Sequence, residues 1–126
     1  MTLGKQRFFA AFALAFTLMT GAMAYAQSKP LVIIRFNQAR IYYEQQLYGA
    51  VSKAVGVKPE VMFELVSFVP TTGEEKLDMQ WQATARHNSQ AILKSMMGMG
   101  VPASRINLRS QPMRGGEYDE IHLFVK

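Results

Sequence analysis

Few side chains in this sequence have the types and spacing that catalysis or metal binding requires. Glu74, Glu75 and Asp78 could form paired carboxylates for acid–base chemistry, but acidic residues also stabilise the first turn of a helix. We favour the second interpretation because a stretch with helical spacing follows them. The two histidines, His87 and His122, occur without any cysteine, which argues against a metal site.

Motifs for catalysis and cofactor binding are also missing from the sequence. No serine lies in a nucleophile motif, and no glycine-rich pattern of the phosphate-binding kind is present. The nine methionines include three near a predicted helix end, where flexible side chains fill gaps in a core. We therefore predict a protein that is not an enzyme and that has no cofactor and no metal.

The aromatic side chains have two possible roles. Trp81 could be a platform for a ligand, but it lies on the apolar side of a predicted helix, which favours a core position. Tyr42, Tyr43 and Tyr48 could present an aromatic binding face on an earlier helix. Helical spacing favours a core position for Tyr43 and leaves Tyr42 as the candidate for a binding contact.

A helix, its C-terminus and the strand that follows organise the second half of the chain. Apolar residues recur at steps of three or four, a spacing that predicts one mostly apolar helix face. Gly98 and Gly100 then provide positions that tolerate positive φ, and Pro102 prevents the helix from continuing. The members of this face are Leu77, Trp81, Ala85, Asn88, Ile92, Met96 and Met99.

The first 26 residues have the layout of a secretory signal peptide. Lys5 and Arg7 precede an apolar stretch, and Ala24-Tyr25-Ala26 has small residues at the two positions that a signal peptidase reads. The stretch is also just long enough to be a retained membrane anchor. We predict cleavage after Ala26, which leaves residues 27–126 as one domain and limits any membrane contact to an uncleaved signal peptide.

The composition agrees with a small exported domain. Loss of Lys5 and Arg7 from the 14 basic residues would leave twelve basic and nine acidic residues, a net charge of +3. Such a charge favours anionic surfaces in general, but it is too small and too scattered to indicate nucleic acid. Because the chain has no cysteine, its stability must come from its core alone.

The periodicity of residues 27–126 predicts an α+β fold with the element order β-α-β-α-β-β. Two strand–helix–strand units imply parallel strands, and the last two strands with their glycine-containing link predict a hairpin. Both helices should lie on one face of a four-stranded mixed sheet. The predicted strands are residues 31–36, 61–68, 105–110 and 118–125, the helices are residues 39–55 and 77–99, and the longest polar loop is residues 69–78.

Several short blocks are typical of one known family. Gly100-Val101-Pro102-Ala103-Ser104-Arg105-Ile106, which links the second helix to the third strand, is the most specific of them. Phe36-Asn37-Gln38-Ala39, Lys58-Pro59 and Thr72-Gly73 also match the family at the ends of the first two strands. Together with the element order, these blocks resemble the OmpA-like C-terminal domain family. The resemblance implies a mixed sheet in the strand order 1-4-2-3, with the fourth strand antiparallel.

The resemblance also implies binding of peptidoglycan, through an Asp after the second strand and an Arg on the second helix. In the family, the Arg pairs the carboxylate of diaminopimelate in the stem peptide and the Asp pairs its ammonium group. Here the Asp position falls on Pro70 and the Arg position falls on Asn88. Arg86 lies two residues earlier, roughly 200° around the helix, and should point away.

The candidate ligand-binding residues, at positions equivalent to the family's site, are Pro70, Thr72, Gly73, Asp78, Arg86 and Asn88. Neither Pro70 nor Asn88 supplies the charge that this site uses, so wall binding should be weakened or altered. The expected protein is a non-catalytic, exported module of the periplasm or cell envelope of a Gram-negative bacterium, with peptidoglycan as a weak ligand.

The alternative is a protein–protein scaffold module in an envelope assembly such as a secretion or motility complex. The character of one surface, the pocket between residues 69–78 and the second helix, would separate these functions. A polar, charged cleft between residues 69–78 and the second helix favours wall binding, whereas a flat apolar patch favours a protein partner.

Overall fold

A computed structural model describes residues 29–126 of the chain, and the predicted signal peptide of residues 1–26 lies outside the described residues. The described part confirms the α+β class and the predicted element order. Its strands are β1 (Val32–Arg35), β2 (Phe63–Thr71), β3 (Ile106–Arg114) and β4 (Glu120–Val125), and its helices are α1 (Glu44–Val57) and α2 (Glu75–Gly98).

The four strands form one mixed sheet in the order β1-β4-β2-β3. β4 is antiparallel to both of its neighbours, whereas β3 is parallel to β2. This order is the one that the resemblance implies, but the predicted hairpin of the last two strands is wrong because β3 and β4 are not neighbours. Burial explains the arrangement: side chains on both faces of β2 are buried, and such a strand belongs in the interior of a sheet.

One face of the sheet packs against both helices, as predicted. Phe63 and Leu65 of β2 are at most 1% exposed, and burial of side chains of this size contributes roughly 1.5–3 kcal/mol each. Every second residue of a strand lies on this face, so β4 contributes Ile121 and Leu123. The central core cluster contains Ile34, Leu47, Val51, Phe63, Leu65, Ile92, Met96, Ile121 and Leu123.

The apolar face of α2 is buried only along its later turns. Ala85, Ile92 and Met96 are at most 2% exposed, whereas Leu77 is 36% exposed and Trp81 is half-buried. Trp81 also lies outside the core cluster, so its predicted core position is wrong.

The ends of the strands explain this difference along α2. The pairing of β2 with β4 ends at Phe68, opposite Glu120, while β2 continues to Thr71 beside β3. The first turns of α2 follow the end of β2 closely, because only residues 72–74 separate the two elements. Beyond Phe68, β2 no longer has β4 and β1 beside it, because β1 ends at Arg35 and β4 begins only at Glu120. Loops lie beside the first turns of α2 instead.

The C-terminus of α2 has the geometry that its glycines predict. Gly100 has a φ of 101°, and its N–H donates to the carbonyl of Met97 at 3.0 Å. The N–H of Val101 donates to the carbonyl of Met96 at 3.2 Å, which completes a Schellman motif. Val101 is 6% exposed and covers the helix end.

Three element boundaries differ by three residues or more from the sequence predictions. β3 continues to Arg114, although it was predicted to end at residue 110. β2 extends to Thr71, so the loop predicted over residues 69–78 is reduced to residues 72–74. Pro70 is tolerated in this strand because β4 pairs only as far as Phe68, which leaves one side of β2 without a ladder partner there. The first helix begins at Glu44 instead of residue 39.

Candidate functional site

A polar cleft of about 450 Å³ lies between the later part of β2, the facing part of β3 and the early turns of α2. Its walls come from a parallel pair of strands on one side and from one flank of a helix on the other. The helix supplies residues 82, 85, 86 and 89, whose spacing places them on one side of α2. The polar residues of the lining are Ser67, Thr71, Gln82, Arg86, Ser89, Ser110 and Gln111.

Arg86 determines the charge of this cleft. Of the described residues that line it, Arg86 is the one with an ionic charge, and none is Asp, Glu or His. The side chain is exposed, and within residues 29–126 its guanidinium group has no hydrogen bond or ion pair. A planar cation beside serine hydroxyls and a glutamine amide can hold a carboxylate through paired hydrogen bonds.

The small residues beside Arg86 keep the cleft open and polar. Ser67 and Ser89 are 4% and 9% exposed, so their hydroxyl groups form its floor. The Oγ of Ser89 donates to the carbonyl of Ala85 at 3.0 Å, which satisfies the hydroxyl within the helix. Its lone pairs can still accept a hydrogen bond from a ligand.

Pro70 shares the cleft with Arg86, although it supplies no charge. It is fully buried in β2, where it lies opposite Met113 of β3. Asn88 lies on the other flank of α2, as the 200° offset from Arg86 predicts. The structure therefore brings Pro70 together with Arg86 and separates both of them from Asn88.

Asn88 contacts a buried carboxylate instead of the cleft. Its Nδ2 donates to Asp119 Oδ2 at 3.1 Å and lies 3.4 Å from Oδ1. Asp119 is 1% exposed, and burial raises the pKa of its carboxyl group, while the hydrogen bond from Asn88 acts in the opposite direction. Asn88 is thus the amide that keeps this buried acid satisfied.

Asp78, in the first turn of α2, is hydrogen-bonded to Thr72 and Gly73 of the loop that precedes the helix. Asp78 Oδ1 accepts from the backbone N–H of Thr72 at 2.7 Å and from its hydroxyl at 2.8 Å, and Oδ2 accepts from the N–H of Gly73 at 3.2 Å. These bonds, first that from the Thr72 N–H, lower the pKa of Asp78. Gly73 has a φ of 89°, a conformation that favours glycine.

The hydrogen bonds of Asp78 within the loop prevent it from acting together with Arg86 on a ligand. Both carboxylate oxygens of Asp78 already accept hydrogen bonds from the loop, and Asp78 is not part of the cleft lining. The site therefore contains a cation without a neighbouring acid. It can hold the carboxylate of a zwitterion but has no group in its lining that would pair with the ammonium.

The histidines lie away from the cleft. His87 is an exposed residue of α2. His122 lies on the sheet face opposite the helices, where its Nε2 is 2.9 Å from Glu120 Oε1 and its ring is 4.3 Å from that of Phe68. Within residues 29–126, His, Cys, Asp and Glu do not come together in groups of three that could hold a metal ion.

Sequence reasoning missed Gln82 and Ser89, which line the cleft beside Arg86. The signal was present, because residues 82, 86 and 89 have i, i+4 and i+7 spacing beside the apolar face. The residues of the opposite wall, such as Ser67 and Ser110, could not be found locally, because they depend on the pairing of β2 with β3.

Comparison with known proteins does not assign the chain to a family. No protein-family model matches the chain, and no curated protein matches it. In the part of the chain that the structure describes, no helix combines the length and the apolar character that a membrane span needs. Any functional conclusion therefore depends on the geometry described above.

Proposed function

We propose that the protein is a non-catalytic, exported module of the Gram-negative cell envelope that binds peptidoglycan weakly, through carboxylate groups of its stem peptides. The observation that carries the proposal is Arg86, an exposed cation in a polar cleft whose guanidinium group has no partner among residues 29–126. The strand order β1-β4-β2-β3 supports the same proposal because it agrees with the OmpA-like resemblance.

The expected binding differs from that of the OmpA-like family. Arg86 can make charge-assisted hydrogen bonds to a carboxylate, but the lining provides no acid for the ammonium group of diaminopimelate. Loss of one charge-assisted contact of roughly 1.5–3 kcal/mol would weaken binding by about ten- to a hundredfold. The interaction should also weaken with salt, because the cation is exposed.

The test is co-sedimentation of the protein with purified peptidoglycan across a salt series. Arg86→Gln should remove most of the retained protein at low salt. Lys94→Gln is the matched control, because Lys94 is an exposed cation of the same helix outside the cleft. Equal loss in both variants would show that net charge alone holds the protein on the wall and would contradict the proposal.

A competition experiment with free ligands tests whether the cleft lacks an acidic side chain for the ammonium group of diaminopimelate. Free diaminopimelate should displace the protein no better than glutarate, because only a carboxylate finds a partner in the cleft. Tight binding that diaminopimelate displaces at high salt would show that an acidic side chain completes the site, contrary to the proposal.

The second candidate function is a scaffold that binds another envelope protein. An apolar groove of about 490 Å³ near the end of α1 favours it, because Val57 is 83% exposed and Leu31 and Val125 are each at least 40% exposed. Lys53 and Lys58 border the groove and suit a partner segment with acidic and apolar residues. A photo-reactive residue at Val57 should cross-link one discrete partner in cells, whereas one at the exposed Ser52 should not.

A further inference from the structure

A second groove, of about 410 Å³, lies on the opposite flank of α2, where β1 and β4 end. Trp81 of the helix forms one wall, and the loops at residues 36–39 and 117–118 form the other. The N–H of Phe36 donates to the carbonyl of Asp119 at 3.0 Å and holds these loops side by side. The volume falls in the range of about 300–1,000 Å³ that is typical of small-molecule sites.

The groove presents aromatic surface that the rest of the fold leaves uncovered. Trp81 and Tyr118 are half-buried, and neither has a ring contact among residues 29–126. Phe36 contacts Tyr43 in an edge-on arrangement, with centroids 6.3 Å apart. Trp81 and Tyr118 both line the groove, and these two side chains are referred to as the aromatic platform.

Polar side chains border the aromatic platform. Asn37, Gln38 and Glu117 are exposed, and their side chains have no hydrogen-bond partner among the described residues. The two amides both donate and accept, and the carboxylate accepts. Hydroxyl and acetamido groups of a sugar ring need this mixture of donors and acceptors, while the C–H face of the ring can stack on an indole.

The charge of the groove excludes the ligand chemistry proposed for the Arg86 cleft. No Lys, Arg or His is among the described residues that line it, and Glu117 would repel a carboxylate. A neutral ligand with an apolar face and polar edges fits these observations best. The two flanks of α2 therefore suit different parts of a glycopeptide.

We propose that the Trp81 groove is a glycan-binding site for N-acetylhexosamine units. The proposal rests on the proposed function only in its choice of sugar, because the glycan of the wall is built from N-acetylhexosamines. The aromatic platform and its polar border support a saccharide whether or not the Arg86 cleft binds a stem peptide.

The test uses the intrinsic fluorescence of the protein, because Trp81 is its single tryptophan. Titration of the full chain with the neutral tetramer of N-acetylglucosamine should shift the emission and saturate, whereas maltotetraose should not. Gln38→Ala should weaken binding by at least about fivefold. Arg86→Gln and the distant Ser52→Ala should leave the titration unchanged, so failure at this groove can be told from failure at the cleft.

Calorimetry completes the test with Trp81→Leu, which has no fluorescence signal. This variant should lose the heat of binding to the tetramer while its circular dichroism stays unchanged. If Trp81→Leu does not fold, Asn37→Ala and Gln38→Ala in the exposed loop still decide the question. Absence of a saturable shift, an equal response to maltotetraose, or a shift caused by free diaminopimelate would each overturn the proposal.

Discussion

The two flanks of α2 carry opposite chemistry on the same helix. The flank beside β3 presents Arg86, a cation with no partner in the described part of the chain, at an open polar cleft. The flank beside the ends of β1 and β4 presents Trp81 and also Asn88, whose amide satisfies the buried Asp119. Within residues 29–126, the exposed charge of Arg86 is therefore unpaired, whereas the buried carboxylate of Asp119 is hydrogen-bonded, as buried polar groups require.

The buried face of α2, which lies between the two flanks, provides the strongest test of this comparison. Ile92 is 0% exposed and belongs to the core cluster that joins both helices to the sheet. Ile92→Ala should lower the free energy of unfolding by roughly 2–5 kcal/mol, because it creates a cavity in the core. Thermal or denaturant unfolding measures this loss, with Lys94→Ala as the exposed control. Equal stability of the two variants would show that α2 does not pack by this face.

The fold was predictable to the extent that its signals are local. The apolar spacing of α2 and the alternation of β4 indicate their elements directly. The partner of β4 is not a local property, and so adjacency in sequence wrongly suggested a hairpin with β3. Pro70 and Thr71 are likewise residue types that are common in loops. They belong to β2 because they pair with Met113 and Arg114 of β3, which the local sequence does not indicate.

The site was less predictable for a related reason. Counting from Gly100 placed the family's Arg position on Asn88, but helix geometry and strand pairing together put Arg86 in the cleft. Trp81 was expected in the core because its spacing continues the apolar face. That inference failed because β1 and β4 do not extend far enough to cover the Trp81 side chain. The sequence of a helix does not indicate how long the neighbouring strands are.

The contact between Asn88 and Asp119 gives the second largest expected effect. Asn88→Ala would leave a carboxylate that is 1% exposed without its amide partner, at a cost of about 1–3 kcal/mol near neutral pH. Arg86→Ala on the other flank is the comparison variant, since the Arg86 side chain has no partner to lose among the described residues. Chemical denaturation of both variants measures the difference, and an equal loss would contradict the asymmetry of the flanks.

The pH dependence of the same contact has a definite sign. The folded pKa of Asp119 is raised by burial, so the folded protein holds this proton more tightly than the unfolded chain, whose pKa is about 3.9. Its ionisation therefore reduces stability as pH rises from about 3.9 through the raised folded pKa. Asp119→Asn should remove this decline in unfolding free energy, measured by denaturation across that pH range. A parallel profile for the variant would refute the assignment.

Asp78 should show a smaller effect of opposite sign, because it is only half-buried and solvent screens its charge more than that of Asp119. Hydrogen bonds from Thr72 lower its folded pKa, so its contribution to stability is present above the unfolded pKa of about 3.9. That contribution is lost as pH falls through the folded pKa. Asp78→Asn should therefore be less stable than the unmodified protein at neutral pH and should approach it in acid. A stability difference that grows towards low pH would contradict the loop geometry.

Arg86 itself should have the smallest effect on stability, because the side chain is exposed and makes no pair within the described range 29–126. Arg86→Gln should change the free energy of unfolding by less than about 0.5 kcal/mol, as most surface substitutions do. If Arg86 serves a ligand, as proposed, its removal can even stabilise the chain slightly, because the demands of function and of stability differ. A loss above about 1 kcal/mol would instead mean that the guanidinium group holds the cleft together. Denaturation at low and high salt separates these cases, since a general charge effect fades with screening and a packing effect does not.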